Sequence, residues 1–173
     1  VALKQVADPA FKAYATQVIR NSQAMGARLM EHGYKLQTDG SENHLLLVDL
    51  RPLGLTGSKI EELADLCGVT VNKNAVVGDT SALTPGGYRL GTSALTSRSM
   101  MEKEMVIVAD FLHRMTQIAL QIQKEVGKKL VDFKKAANAS EDVKTLKKEV
   151  EAFATSFALP GIDSNSIKRP AGH

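Results

Sequence analysis

Arg89, which follows a long polar loop, is the residue of this chain best suited to hold a small polar ligand. Arg89 follows Gly86 and Gly87 in the short run Tyr88-Arg89-Leu90-Gly91-Thr92. Strand alternation turns its side chain away from Tyr88 and Leu90. A guanidinium presented in that way can clamp a carboxylate through two parallel hydrogen bonds. The plainer reading of the residues alone is an arginine at a sheet edge, satisfied by carbonyls or solvent. Asn72 and Asn74 open an aperiodic polar stretch, residues 72–87, and by themselves read as turn formers. His44 reads as a strand residue rather than a base, and Cys67 as a small core residue rather than a nucleophile. The sequence contains no nucleophile–base pair, phosphate loop, dinucleotide fingerprint or metal-ligand spacing. No catalytic residue and no metal ligand is assigned.

The elements that must position these residues follow from periodicity. Asp8-Pro9 is an N-cap followed by proline at the first helical position. Phe11, Tyr14, Val18, Met25 and Leu29 then recur at helical spacing as far as Gly33. Residues 34–37 and 44–50 read as two strands joined through Thr38-Asp39-Gly40-Ser41, the second apolar enough to be buried on both faces. Ser58 with Glu61 reads as a capping box for a short helix whose stripe is Ile60, Leu63, Ala64 and Cys67. Val69-Thr70-Val71 reads as a third strand, and 88–92 as a fourth. A second capping box, Ser99 with Glu102, introduces a long helix whose apolar face runs through Met101, Met105, Val108, Leu112, Met115, Ala119, Ile122 and Val126. After a break near 136–140, Val143, Leu146, Val150, Phe153 and Phe157 mark a last helix, and 158–173 read as a disordered tail. The sum is an α+β domain in two layers, with a small, mostly antiparallel sheet and flanking helices.

Composition narrows the function classes. The chain has 173 residues, is 43% hydrophobic and 24% charged, and carries a formal net charge of +3. Its basic residues are spread out and, from residue 141 on, interleaved with acidic ones, so no nucleic-acid or other polyanion partner is expected. A single cysteine excludes an internal disulfide and favours a reducing compartment. No apolar run approaches the roughly 20 residues that span a bilayer, so no membrane partner is expected. The chain begins at Val1, inside a helix-like stretch, and is read as a piece of something longer.

The strings Asn43-His44-Leu45-Leu46-Leu47-Val48-Asp49-Leu50, Thr70-Val71-Asn72-Lys73-Asn74, Gly78-Asp79, Ser81-Ala82-Leu83, Gly87-Tyr88-Arg89-Leu90-Gly91-Thr92 and Ala94-Leu95-Thr96-Ser97-Arg98 are similar, in order and spacing, to the C-terminal part of serine hydroxymethyltransferases. Val1-Ala2-Leu3-Lys4-Gln5 resembles the helix leading out of that family's large domain, and the resemblance covers about residues 1–157. The segment 49–57 most resembles plant cytosolic forms, which implies a cytoplasmic location. The resemblance implies three parts: residues 1–32, a long helix leading from the large domain; 33–157, the small domain of fold-type I pyridoxal-phosphate enzymes; and 158–173, the tail. It implies transfer of the serine hydroxymethyl carbon to tetrahydrofolate, giving glycine and methylenetetrahydrofolate, with pyridoxal phosphate as electron sink. Arg89 would then bind the amino-acid carboxylate. Asn74 would bind the folate pteridine, with Ser81 and Leu83 lining the folate site, in a homo-oligomer.

The family's Schiff-base lysine and the rest of its cofactor site match nothing here, and neither Lys4 nor Lys73 replaces that lysine. The segment alone is therefore expected to be inactive. Two departures stand beside Arg89: Ser93 and Ser99 occupy positions where the family usually has proline and glycine, which is expected to loosen or re-aim the turn. The alternative reading is a non-catalytic truncated homologue acting as a protein-binding domain.

Overall fold

The computed structural model describes residues 1–81 and 83–163. A short helix α1 (Ala2–Val6) leads into the long α2 (Pro9–Glu31), whose Asp8 N-cap accepts the Ala10 N–H at 2.8 Å. The exit from α2 is made by Gly33 at φ +84°, a left-handed conformation for which glycine has no Cβ penalty. The chain then forms β1 (Lys35–Leu36), β2 (Leu45–Asp49), a single 3-10 turn at Arg51–Leu53, α3 (Gly57–Leu66), β3 (Asn72–Asn74) and β4 (Gly87–Gly91). Helices α4 (Ser93–Ser97), α5 (Glu102–Val126), α6 (Leu130–Ala139) and α7 (Glu141–Thr155) complete it. The four strands form one antiparallel sheet in the order β1-β2-β4-β3.

The two faces of this sheet have opposite fates. Leu36, Leu46, Val48, Tyr88 and Leu90 project inward, onto a core built from Met25 and Leu29 of α2, Ile60, Leu63 and Ala64 of α3, and Met105, Leu112 and Met115 of α5. Gly26 lets α2 close on the sheet: a Cβ there would lie 3.1 Å from Leu46 Cδ2 and 3.3 Å from Leu36 Cδ1. The opposite face, with Lys35, Leu45, Leu47, Arg89 and Asn72, has no helix over it among the described residues. This is the α+β two-layer arrangement expected from the sequence.

Several local expectations are corrected. Strand β2 is not buried on both faces, since Leu45 is 39% exposed on the open side. The third strand is Asn72–Asn74 rather than 69–71, and so the two asparagines are strand residues, not turn formers. The expected Ser58–Glu61 capping box does not form. Helix α3 starts two residues earlier, at Gly57 with Thr56 as N-cap, and the Glu61 carboxylate instead accepts the Lys73 N–H at 3.0 Å and pairs with the Lys73 ammonium at 2.9 Å, which ties β3 to α3. Nor does Ser99 cap α5: the N-cap is Met101, whose N–H donates to Glu104 at 2.8 Å. Met101 itself is 44% exposed and leaves the apolar stripe. An additional helix, α6, fills the interval expected to contain only a break, packing Phe133 and Ala137 into the core. Of the tail, Leu159 and Ile162 form an antiparallel bridge, while residues 164–173 lie outside the described residues.

Helices α2 and α5 are also joined by a polar clasp. Asp110 Oδ1 lies 2.7 Å from both Arg28 Nε and His32 Nε2, and the His32 ring stacks on that of His113 with centroids 4.0 Å apart. The Tyr34 hydroxyl lies 3.1 Å from His113 Nδ1. Burial pushes the His113 pKa below its ordinary 6.5, and His32 and Arg28 act in the same direction while Asp110 opposes them. A base whose folded pKa is depressed favours the folded state in its neutral form. Its contribution is complete above pH 6.5 and is lost as the pH falls through the lowered folded value. Thermal unfolding followed by circular dichroism should therefore show a midpoint that drops on acidification from about pH 7.5 to about pH 5. In His113→Phe, which keeps a ring against His32 but cannot titrate, that drop should be smaller.

Candidate functional site

The register of the sheet places Arg89 directly opposite Asn72 on one side and Leu47 on the other, with Asn74 opposite Gly87. Residues paired across an antiparallel ladder share a face, as do residues two apart along a strand. Arg89, Asn72 and Asn74 therefore stand together on the open side. Arg89 is exposed, and among the described residues its side chain makes no hydrogen bond or ion pair. By contrast, Arg28 and Arg114 are paired with carboxylates, and Arg98 donates to the carbonyls of Ala154 and Phe157 at the end of α7. The Asn74 amide donates to the Ala75 carbonyl at 2.7 Å, which orients its carbonyl oxygen and leaves a second N–H to spare.

Ser81 and Leu83 lie further along the loop between β3 and β4. The Leu83 N–H donates to Ser81 Oγ at 3.2 Å, and the Leu83 side chain is 88% exposed. Among the described residues no hydrogen bond joins either of them to Asn74 or Arg89. The structure thus groups Arg89 with the two asparagines, and places Ser81 and Leu83 on a loop hinged beside them.

At the root of this loop lies a cluster to which the sequence reading gave no role. Asp49, with its side chain 1% exposed, accepts from Arg51 Nε at 2.9 Å and Nη2 at 2.7 Å, a bidentate pair, and from the Arg51 backbone N–H at 3.1 Å. These Arg51 hydrogen bonds hold the Asp49 pKa below the usual carboxylate value in spite of its burial. Arg51 Nη1 also faces Asp79 Oδ1 at 3.7 Å. The neighbouring glycines are required by contact. A Cβ on Gly87 would come within 2.4 Å of the Val48 carbonyl oxygen, and one on Gly57 within 2.0 Å of the Gly87 carbonyl oxygen. The alternation Asp49-Leu50-Arg51, with Gly86-Gly87 further on, was the sequence signal for this cluster: two charges on one side of a chain otherwise apolar.

Ser93 and Ser99 flank the turn after β4. Ser93 is the first residue of α4, a position where proline is tolerated because its N–H has no helical partner. Its carbonyl accepts from the Tyr14 hydroxyl at 3.0 Å. Ser99 adopts φ +63°, and with Asp39 is one of two non-glycine residues at positive φ among the described residues. Serine here takes up the left-handed conformation that glycine would adopt freely. Such a conformation costs an L-residue roughly 1–2 kcal/mol, partly offset by the greater chain entropy that glycine loses on folding. Ser99→Gly should accordingly raise stability by about 0.5–1 kcal/mol in urea unfolding.

The small antiparallel sheet thus carries helices on one face and, on the other, an arginine whose side chain has no partner among the described residues. The serine hydroxymethyltransferase family model matches residues 1–112. The chain is 51% identical to serine hydroxymethyltransferase 4 of Arabidopsis thaliana over 97% of its own length and 36% of that protein's. It is 47% identical to the cytosolic serine hydroxymethyltransferase of Oryctolagus cuniculus, over 94% of its length and 35% of the relative's. To a serine hydroxymethyltransferase of Caenorhabditis elegans it is also 47% identical, over 93% and 32%. This chain belongs to the serine hydroxymethyltransferase family, and it spans about a third of the length of the relatives it matches.

Proposed function

We propose that this chain is the C-terminal segment of a pyridoxal-phosphate-dependent serine hydroxymethyltransferase, in which Arg89 binds the carboxylate of serine or glycine and Asn74, Ser81 and Leu83 contribute to the tetrahydrofolate site. One observation carries the reading: Arg89 is exposed and uncommitted on the open face of the sheet, with Asn72 across the ladder and Asn74 on the same face. A planar guanidinium binds a carboxylate through two parallel N–H···O bonds and so fixes both its position and its plane. The Asn74 amide offers a donor and an acceptor side by side, the pattern needed to hold the edge of a flat heterocycle.

The described residues do not fit the cofactor itself. Pyridoxal phosphate needs the family's Schiff-base lysine, which no lysine here matches: Lys59 donates to Gln123 Oε1 at 2.6 Å from a buried position, Lys73 is paired with Glu61, and Lys35, on the open face, lies in no such motif. In this reading the cofactor is held by the rest of the enzyme, and this segment supplies substrate contacts and has no activity alone. A cytoplasmic homo-oligomer is part of the same proposal. Among the described residues no helix is long and apolar enough to cross a membrane.

In a polypeptide that also carries the catalytic part of the family, Arg89→Ala should raise the KM for serine and lower turnover. Loss of a charge-assisted pair costs about 1.5–3 kcal/mol, or roughly one to two decades in kcat/KM. Unchanged steady-state kinetics with serine would remove Arg89 from the site. Asn74→Ala should weaken tetrahydrofolate binding more than serine binding, whereas equal losses in the two titrations would point to a general folding defect.

A further inference from the structure

The loop from residue 75 to residue 86 joins two strands that are themselves hydrogen-bonded neighbours, so nothing in the ladder fixes its path. A single carboxylate does. Asp79 Oδ2 accepts the Val76 N–H at 2.9 Å and the Gly86 N–H at 2.7 Å, drawing the two ends of the loop onto one oxygen atom. The segment between them is thereby a closed excursion, and Ser81 and Leu83 lie on it. These two hydrogen bonds, that from Gly86 first, hold the Asp79 pKa below the ordinary carboxylate value.

The other oxygen of Asp79 faces Arg51, and Arg51 is fixed by its bidentate pair with the buried Asp49. Gly86 provides the room: a Cβ there would lie 2.6 Å from Asp79 Oδ1 and 2.7 Å from Arg51 Cγ. Backbone bonds continue the anchorage. The Leu50 N–H donates to the Gly86 carbonyl at 2.9 Å, and the Gly57 N–H to the Pro85 carbonyl at 2.8 Å. The Asp79 side chain is only 10% exposed, so its oxygens face the loop's own backbone and Arg51 rather than solvent.

We propose that Asp79, braced by Arg51, is the positioning residue of the folate site: it sets the path of the 75–86 loop, and so the placement of Ser81 and Leu83 relative to Asn74, without touching the ligand. This rests on the folate reading given above. Its chemistry is graded. Asparagine at 79 keeps one carbonyl oxygen that can accept both N–H groups, but turns an amide toward Arg51 in place of a charge. Alanine removes both carboxylate oxygens, and with them the two hydrogen bonds that gather Val76 and Gly86 onto residue 79.

The test is calorimetric titration of the full-length protein, once with tetrahydrofolate and once with serine, for Asp79→Asn, Asp79→Ala and Asn74→Ala. The expected result is a tetrahydrofolate Kd raised about tenfold or more in Asp79→Ala and by less in Asp79→Asn, with the serine Kd within about twofold of wild type. If Asn74→Ala weakens tetrahydrofolate binding while both Asp79 variants bind it normally, the positioning role is overturned and the folate reading stands. If Asn74→Ala leaves tetrahydrofolate binding unchanged, the folate reading itself fails, and this inference with it. Should Asp79→Ala not fold, Asp79→Asn decides alone: wild-type tetrahydrofolate binding, or equal loss for both ligands, overturns the proposal.

Discussion

Asn21 is buried completely in the middle of α2, and its side-chain amide joins that helix to the turn after β4. Its Nδ2 donates to Thr96 Oγ1 and to the Met100 carbonyl, both at 2.9 Å, while its carbonyl oxygen accepts from Gln17. Beside it the buried Thr92 hydroxyl donates to the Val18 carbonyl at 2.9 Å, and Thr96 donates back to the Thr92 carbonyl. A buried polar group left unpaired costs more than a satisfied one contributes. This network is therefore intolerant of sliding: α2 can meet the β4–α4 corner in one register only. That corner begins three residues after Arg89, so the azimuth of the strand, and with it the side on which Arg89 emerges, is fixed from a helix remote in sequence.

Two faces of one sheet thus solve different problems. On the inner side, period-2 alternation delivers Leu36, Leu46, Val48, Tyr88 and Leu90 to the helices, and burial of that apolar area holds the layers together. The residues that alternate with them are not covered by the described helices. Leu45 and Leu47, Arg89 and the two asparagines are left as a surface of apolar side chains around a guanidinium and amides. Burial of Asp49 on this same side is the exception, and it is made possible by an arginine two residues away.

The layer architecture was legible in the sequence because it rests on periodicity: the helix from Pro9, the stripe of α5, and the outward turn of Arg89 between Tyr88 and Leu90 all follow from spacing. What was misread depends on partners far apart along the chain. Glu61 resembles a capping residue until Lys73 is brought beside it, and Asn72 and Asn74 resemble turn formers until β4 pairs with them. The same holds for α6, whose short stripe of Phe133 and Ala137 acquires meaning only against α3 and α5. On the open face, the proximity of Arg89 to Asn72 and Asn74 came from strand pairing, which the motifs did not predict. The Asp49-Leu50-Arg51 alternation signalled part of the neighbouring cluster, but Asp79, which binds backbone N–H groups, leaves no periodic trace. Ser99 is the opposite case, a residue whose type argued against the conformation it adopts.

Cys67 closes α3 with its side chain wholly inside the core, and burial pushes its thiol pKa up to about 11. Near neutral pH almost none of it is thiolate, the form that reacts with disulfides and alkylating agents. Its sulfur meets such reagents only when α3 lifts from α5 and α6. The rate at which the folded chain consumes a thiol reagent is then a clock for that opening, and since α3 carries Glu61 and, at its first residue, the close contact with Gly87, the same clock times the detachment of the strands that bear Asn74 and Arg89.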